Sequence, residues 1–270
     1  MDESMPADLR AAYRRCRALQ RRHDPTFHLA TLRLPAERRP PVYALYGFLR
    51  GADELVDGPG RPVDPAERRA ALDAWEAELM TGVARGASEH PVIAALVDAG
   101  ARHDLPLERL SVYMDSMRLD CAPVRLPDEA ALDRYMDGSA ATVGRLMAPI
   151  LGAGPRAEDY ARLGVAFQLT NFIRDAREDL ALDRRYLPGL EADARDAVAR
   201  QVARARALFA DTAALHEEQT GAVARGMRLA RAVYEAILDR VERLDFDVLG
   251  ASAVPSRLQL VRAAGGALVR

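Results

Sequence analysis

Apolar residues recur at intervals of three and four along almost the whole chain, the period of helices that bury one side. Ala, Leu, Arg and Glu dominate these stretches, and all four are good helix formers. The alternation that marks half-buried strands is nearly absent. The pattern predicts a first helix over 9–22, then an extended stretch ending at Leu34-Pro35. A helix over 38–57 follows, stopped by Gly58-Pro59-Gly60. Further helices are expected over 65–81, 91–103 and 106–120, each opening on a Pro. The fixed φ and missing N–H of Pro suit a first turn. Two segments cover 128–151, with Gly138 and Gly144 as points of close packing. A long helix runs over 157–180, the next over 190–218 and another over 222–244, and a tail helix begins at Pro255.

The chain has 270 residues and no Gly/Ser-rich or Pro-rich linker, which points to one large helical domain. A formal net charge of −2 gives no basic excess of the kind that binds nucleic acid. All 38 basic residues are Arg. The absence of Lys excludes a P-loop lysine, a lysine Schiff base and a pyridoxal phosphate anchor. It suits diphosphate, which the planar Arg fork grips with two hydrogen bonds; a genome biased toward Arg and Ala is the plainer explanation. Cys16 and Cys121 are far apart in sequence, without CxxC partners, so neither a disulfide framework nor a structural zinc site is expected. Met1 to Leu9 carries three acids and no apolar core of a secretory signal. No apolar run approaches the roughly 20 residues of a spanning helix. The expectation is a cytoplasmic protein, soluble or attached to a membrane surface.

Two segments carry the chemistry. In 42–57, placed on a helix at about 100° per residue, Tyr46, Arg50, Asp53 and Asp57 fall within roughly 60° of one another. Leu45, Leu49, Ala52 and Val56 lie beside that stripe, and Phe48 and Leu55 cover the far side. A helix apolar on several sides with a narrow acidic stripe should line a polar cavity inside a core. In 166–179, Gln168, Asn171, Asp175 and Asp179 share a stripe of about 80° among Phe167, Leu169, Phe172 and Ile173. Each Asp pair stands at i,i+4 near the C-terminal end of its helix. The macrodipole and mutual repulsion both disfavour carboxylates there, and burial adds to the cost. Something positive should compensate. Oxygen donors with no His or Cys nearby select a hard cation, and Mg²⁺ held by one or two carboxylates plus substrate phosphates fits best. Either stripe alone reads more simply as solvated surface acid; two of one design overturn that preference.

Other residues say less. His23, His28, His90, His103 and His216 show no metal spacing. Trp75 reads as a helix-packing anchor, and Met114, Met117, Met136 and Met147 as flexible core filler. Tyr234 suits a cavity wall or a packed core alike. The first helix carries Arg10, Arg14, Arg15, Arg17, Arg21 and Arg22, and the tail carries Arg257, Arg262 and Arg270. Both suit a solvated face or peripheral contact with anionic lipid, the solvated face being the simpler reading.

The stripes resemble the two aspartate-rich motifs of the squalene and phytoene synthase family. Tyr46…Arg50…Asp53…Asp57 resembles the first. Gln168-Leu169-Thr170-Asn171-Phe172-Ile173-Arg174-Asp175, followed by Glu178-Asp179 and Arg185-Tyr186-Leu187-Pro188, resembles the second. Thr26-Phe27 through Leu34-Pro35 looks like the family's opening segment, and Tyr135…Gly138 through Gly144 like its middle motif. Asp53-Glu54-Leu55-Val56-Asp57-Gly58-Pro59, with Leu72 to Glu76, looks most like the phytoene synthase branch. Two positions depart from the pattern: the middle motif reads Ser139-Ala140-Ala141 where the family often has Val-Ala-Gly, and Arg177 replaces a usual Gly.

The resemblance implies an all-α isoprenoid synthase bundle with a central cavity. It implies Mg²⁺, several ions, held by Asp53, Asp57, Asn171, Asp175 and Asp179, and no NADPH. It implies that two geranylgeranyl diphosphates condense head to head into phytoene through a cyclopropylcarbinyl diphosphate, the first step of carotenoid biosynthesis. Under that reading Arg50, Arg174 and Arg184 or Arg185 bind diphosphate. Tyr46, Tyr135 and Tyr186 orient phosphate or relay a proton. Phe27 and the Tyr46 ring face a carbocation, and Gln168 and Asn171 reach the metal or the reacting carbons. The same chemistry on C15 chains, giving presqualene diphosphate, squalene or dehydrosqualene, is the near alternative. A class I terpene cyclase and a non-catalytic relative are the remote ones. Glu54 either binds metal or closes the stripe.

Overall fold

The computed structural model describes residues 5–219 and 221–256, with 258, 259, 262 and 265 beyond them, and of Thr26 only the backbone. The predicted tail helix starts later than Pro255: Pro255 and Ser256 are not helical, whereas Leu258, Gln259, Arg262 and Gly265 are, and Arg257 and Arg270 lie outside the described residues. The fold is all-α, and among the described residues no helix is long and apolar enough to cross a membrane. The chain divides into two compact units: Met1–Ala122 with Arg145–Ala157, and Pro123–Gly144 with Glu158–Arg270.

The first unit is built on α1 (Ala7–His23), α3 (Arg39–Asp57) and α5 (Pro91–His103), which pack on one another. α1 buries Ala12, Tyr13, Cys16 and Gln20, a single helical face. The Tyr13 hydroxyl donates to Asp98 Oδ2 at 2.8 Å and ties α1 to α5. The stretch expected to be extended contains a short helix, α2 (Pro25–Thr31). The Asp24 carboxylate accepts the Phe27 N–H at 2.8 Å, and Pro25 fills the first turn, which together nucleate it. Gln20 is fully buried; its Nε2 donates to Thr31 Oγ1 at 3.2 Å, and its Oε1 lies 3.1 Å from His28 Nδ1.

α3 buries most of its surface, including Val42, Tyr43, Ala44, Leu45, Phe48, Ala52 and Val56. α4 (Pro65–Arg85) runs a turn beyond its expected end, to Gly86, whose φ of 69° closes it. From α4, Trp75 stacks on Phe48 at 5.5 Å and donates its indole N–H to the Phe48 carbonyl at 3.3 Å. A Cβ on Gly51 would lie 2.5 Å from the Trp75 ring, so only glycine permits this seating. α6 (Leu110–Leu119) turns Leu110, Tyr113, Met114, Ser116 and Met117 inward.

The second unit holds α7 (Glu129–Met136), a π-helical turn at Asp137–Ala141, α9 (Ala157–Ala181), α10 (Ala194–Asp211), α11 (Ala214–Glu218) and α12 (Gly221–Arg243). α8 (Thr142–Ile150) crosses the border between the units. The π turn falls in the segment read as a middle motif. Gly144 behaves as a close-packing point: a Cβ there would meet the Tyr160 carbonyl oxygen at 2.2 Å. The helix expected over 190–218 is divided at Thr212 (φ −98°, ψ 10°), whose hydroxyl bonds back to the Leu208 carbonyl at 2.7 Å. A two-residue parallel pair, β1 (Val124–Arg125) with β2 (Arg184–Arg185), was not foreseen.

Candidate active site

The acidic stripe of α3 is the half-open face of an otherwise buried helix: Tyr46, Arg50 and Asp53 are half-buried and Asp57 is exposed. Burial pushes the Asp53 carboxyl from 3.8 up to about 6; Arg50 and a Tyr113 hydrogen bond pull it down, and Asp57 and Asp120 push it up. The Tyr113 hydroxyl lies 3.4 Å from Asp53 Oδ1 and 3.4 Å from the Leu49 carbonyl oxygen. Arg50 pairs with Glu54 one turn on, and Glu54 also lies 3.8 Å from His23 Nδ1. Glu54 thus faces the Arg50 guanidinium and the His23 ring within its own unit. The Phe27 ring, 37% exposed, lies 6.2 Å from the Tyr46 ring. Burial first, then the neighbouring Asp24, raises the Tyr46 phenol to about 12.

On α9 the half-open stripe is Gln168, Asn171, Arg174, Asp175 and Asp179. Arg174 donates from Nε and a terminal nitrogen to the two oxygens of Asp175, at 2.6 and 2.5 Å. These bonds raise the Arg174 pKa above its ordinary value. Tyr135 and Tyr186 are buried and form an aromatic trio with Phe172, the Phe172 and Tyr186 rings stacked 4.3 Å apart. Arg184 and Arg185 stand on β2, where Arg185 is engaged by Asp183 at 2.6 Å and by Glu191. A diphosphate reaching Arg185 would have to displace those acids.

The donor set fits a hard divalent cation. Each stripe offers two carboxylates at i,i+4, and Asn171 adds an amide oxygen that is buried and accepts no hydrogen bond among the described residues. Among the described residues no three His, Cys, Asp or Glu side chains cluster to hold an ion by themselves. That suits Mg²⁺, which takes one or two carboxylates and completes its shell with phosphate and water. The Nε of Arg50 is likewise buried without an acceptor among the described residues.

Sequence reasoning passed over Tyr113 and Asp120, which α6 brings to the first acidic pair. The available signal was polar residues on an inward face: Tyr113, Ser116 and Asp120, spaced three and four apart, are all nearly buried.

A family model described as squalene/phytoene synthase matches residues 20–194 and 189–262. A phytoene synthase of Thermus thermophilus is 36% identical over 271 residues, covering 92% of this chain and 90% of that protein. Chloroplastic phytoene synthase 3 of Zea mays is 34% identical over 276 residues, where 91% of this chain spans 63% of the plant protein. The crystal structure of squalene synthase HpnC from Alicyclobacillus acidocaldarius superposes with a TM-score of 0.80 at 32% identity, covering 90% of this chain and 97% of that one.

Proposed function

The chain belongs to the squalene/phytoene synthase family and is a prenyltransferase, and we propose that it joins two geranylgeranyl diphosphates head to head into phytoene. One observation carries this reading: α3 and α9 each bury an apolar face and place an i,i+4 Asp pair on a partly exposed stripe beside it. Similarity to phytoene synthases over nearly the whole chain supports the C20 substrate.

Asp53 and Asp57 on α3, and Asn171, Asp175 and Asp179 on α9, are the residues that would hold Mg²⁺. When bound, the metal neutralises the departing diphosphate as a Lewis acid. Arg50 and Arg174 grip diphosphate oxygens, exchanging their present partners Glu54 and Asp175 for the more highly charged ligand. Departure leaves an allyl cation on one substrate. The double bond of the second attacks it, and loss of a proton closes the cyclopropane of a cyclopropylcarbinyl diphosphate. Loss of the second diphosphate, rearrangement and loss of another proton give phytoene without a reductant. The faces of Phe27 and Tyr46 can stabilise positive charge. The Tyr46 phenol, raised to about 12, stays protonated and donates to phosphate. Asn171 and Gln168, one and two turns ahead of Asp175, reach the metal or the reacting carbons.

A second reading, the same condensation on C15 chains, is favoured by the likeness to a squalene synthase structure. Peripheral membrane contact through the Arg-rich face of α1, where Arg14, Arg15, Arg17, Arg21 and Arg22 are exposed, would help to collect so apolar a substrate. Pyrophosphate release tests the core of the proposal. Geranylgeranyl diphosphate should release it with Mg²⁺, and chelator or Asp53→Ala should abolish it. Release that persists with chelator would refute the metal assignment.

A further inference from the structure

We propose that Tyr113 is a positioning residue that holds the Asp53 carboxylate ready for Mg²⁺; this rests on the metal reading above. Tyr113 stands on α6, outside both acidic stripes, and its ring is 4% exposed. Its hydroxyl is 3.4 Å from Asp53 Oδ1 and 3.4 Å from the carbonyl of Leu49, the residue one turn before Asp53 on α3. One hydroxyl proton cannot fully serve both acceptors. An ionised carboxylate is the stronger acceptor, so the proton turns to Asp53. The Leu49 carbonyl marks where the hydroxyl sits relative to the α3 backbone, so the contact fixes Oδ1 against its own helix. Oδ2 is then left for a ligand.

The surroundings show why such a device is needed. Asp53 has acids nearby in Asp57 and Asp120, and a free carboxylate there would rotate to minimise repulsion. Its cation, Arg50, is shared with Glu54. Tyr113 comes from a different helix and is packed on all sides, and its hydroxyl faces Asp53 as a donor. An Asp on a half-open stripe thereby acquires one preferred rotamer before metal arrives, which lowers the ordering cost of binding.

Tyr113→Phe deletes the hydroxyl and keeps the ring. Tyr43→Phe is the control: Tyr43 is a buried tyrosine of α3 whose hydroxyl has no hydrogen-bond partner among the described residues. Melting temperature would be measured against Mg²⁺ concentration with inorganic pyrophosphate present, alongside steady-state turnover. Tyr113→Phe should keep the metal-free melting temperature. It should raise the half-saturating Mg²⁺ about tenfold and lower kcat similarly, with little change in KM for prenyl diphosphate. Tyr43→Phe should match wild type. An unchanged Mg²⁺ response in Tyr113→Phe overturns the inference while leaving the functional reading intact. A variant that loses metal-free stability and Mg²⁺ response together, beyond what Tyr43→Phe loses, shows a structural role and also overturns it. No Mg²⁺ response in wild type overturns both.

Discussion

Arg174 occupies both carboxylate oxygens of its neighbour Asp175, at 2.6 and 2.5 Å. The candidate diphosphate ligand and the candidate metal ligand are therefore each other's partner. The pair keeps a half-buried carboxylate compensated, and must open when metal and diphosphate arrive. Arg174→Met should split the two functions. Mg²⁺ should bind the substrate-free protein more tightly, because Asp175 is released, while KM for prenyl diphosphate rises about tenfold or more. Calorimetric Mg²⁺ titration and steady-state kinetics would measure the two effects. Parallel weakening of both would contradict the exchange.

Asp53 illustrates a function held at the expense of stability. Its carboxyl is desolvated and close to other acids, so the metal-free protein should gain about 1 kcal/mol from Asp53→Asn at neutral pH. Turnover should fall on the order of a hundredfold or more. Urea unfolding in chelator, with turnover alongside, checks both. A destabilised Asn variant would mean that the carboxylate is satisfied without metal.

Acid should weaken the fold through its histidines. Burial first, then nearby Arg residues, holds His28, His90 and His103 below 6.5, and His216 is lowered likewise. Between those depressed values and 6.5 the unfolded chain binds more protons than the folded one. Their contribution is complete above 6.5 and is lost as pH falls through the folded values. Asp53 opposes this: its folded pKa is raised to about 6, so its contribution is present at low pH and lost as pH rises through about 6. The metal-free melting temperature should fall between about pH 7.5 and about pH 5.5, and more steeply in Asp53→Asn, at roughly 2–4 °C per kcal/mol. Equal slopes in the two proteins would contradict the opposing sign.

The contact of Gly144 with the Tyr160 backbone leaves no room for a methyl group. Gly144→Ala should cost about 2–4 kcal/mol by urea unfolding, despite the higher helix propensity of Ala. A neutral result would mean that the two backbones move apart freely.

The long helices were legible because each carries one strong period and a clear stop. α3 ends at Gly58 and α5 runs from Pro91 to His103 as expected. α2 was missed because seven residues hold too few periods, although Asp24 and Pro25 were visible starting signals. The break at Thr212 was missed because it interrupts a continuous apolar pattern. The β1–β2 pair joins residues 60 apart, so no local signal existed for it. The two acidic stripes stand on half-open faces, as the projection predicted. Their partners could not be read in the same way. Arg50 and Arg174 looked free for diphosphate, yet the fold gives each an acid one or four residues away. Tyr113 and Asp120 reach the first stripe from another helix, a relation that periodicity along α3 cannot contain.

The most direct test is the identity of the hydrocarbon product. Purified protein would be incubated with Mg²⁺ and either geranylgeranyl or farnesyl diphosphate, without NADPH, and the extract separated and weighed by mass spectrometry, with Asp53→Ala in parallel. The expected result is a C40 hydrocarbon with the mass of phytoene from the C20 substrate, absent with Asp53→Ala. A C30 product from farnesyl diphosphate alone would contradict the C20 assignment. A cyclic C20 product, or no turnover of either substrate, would contradict head-to-head condensation itself.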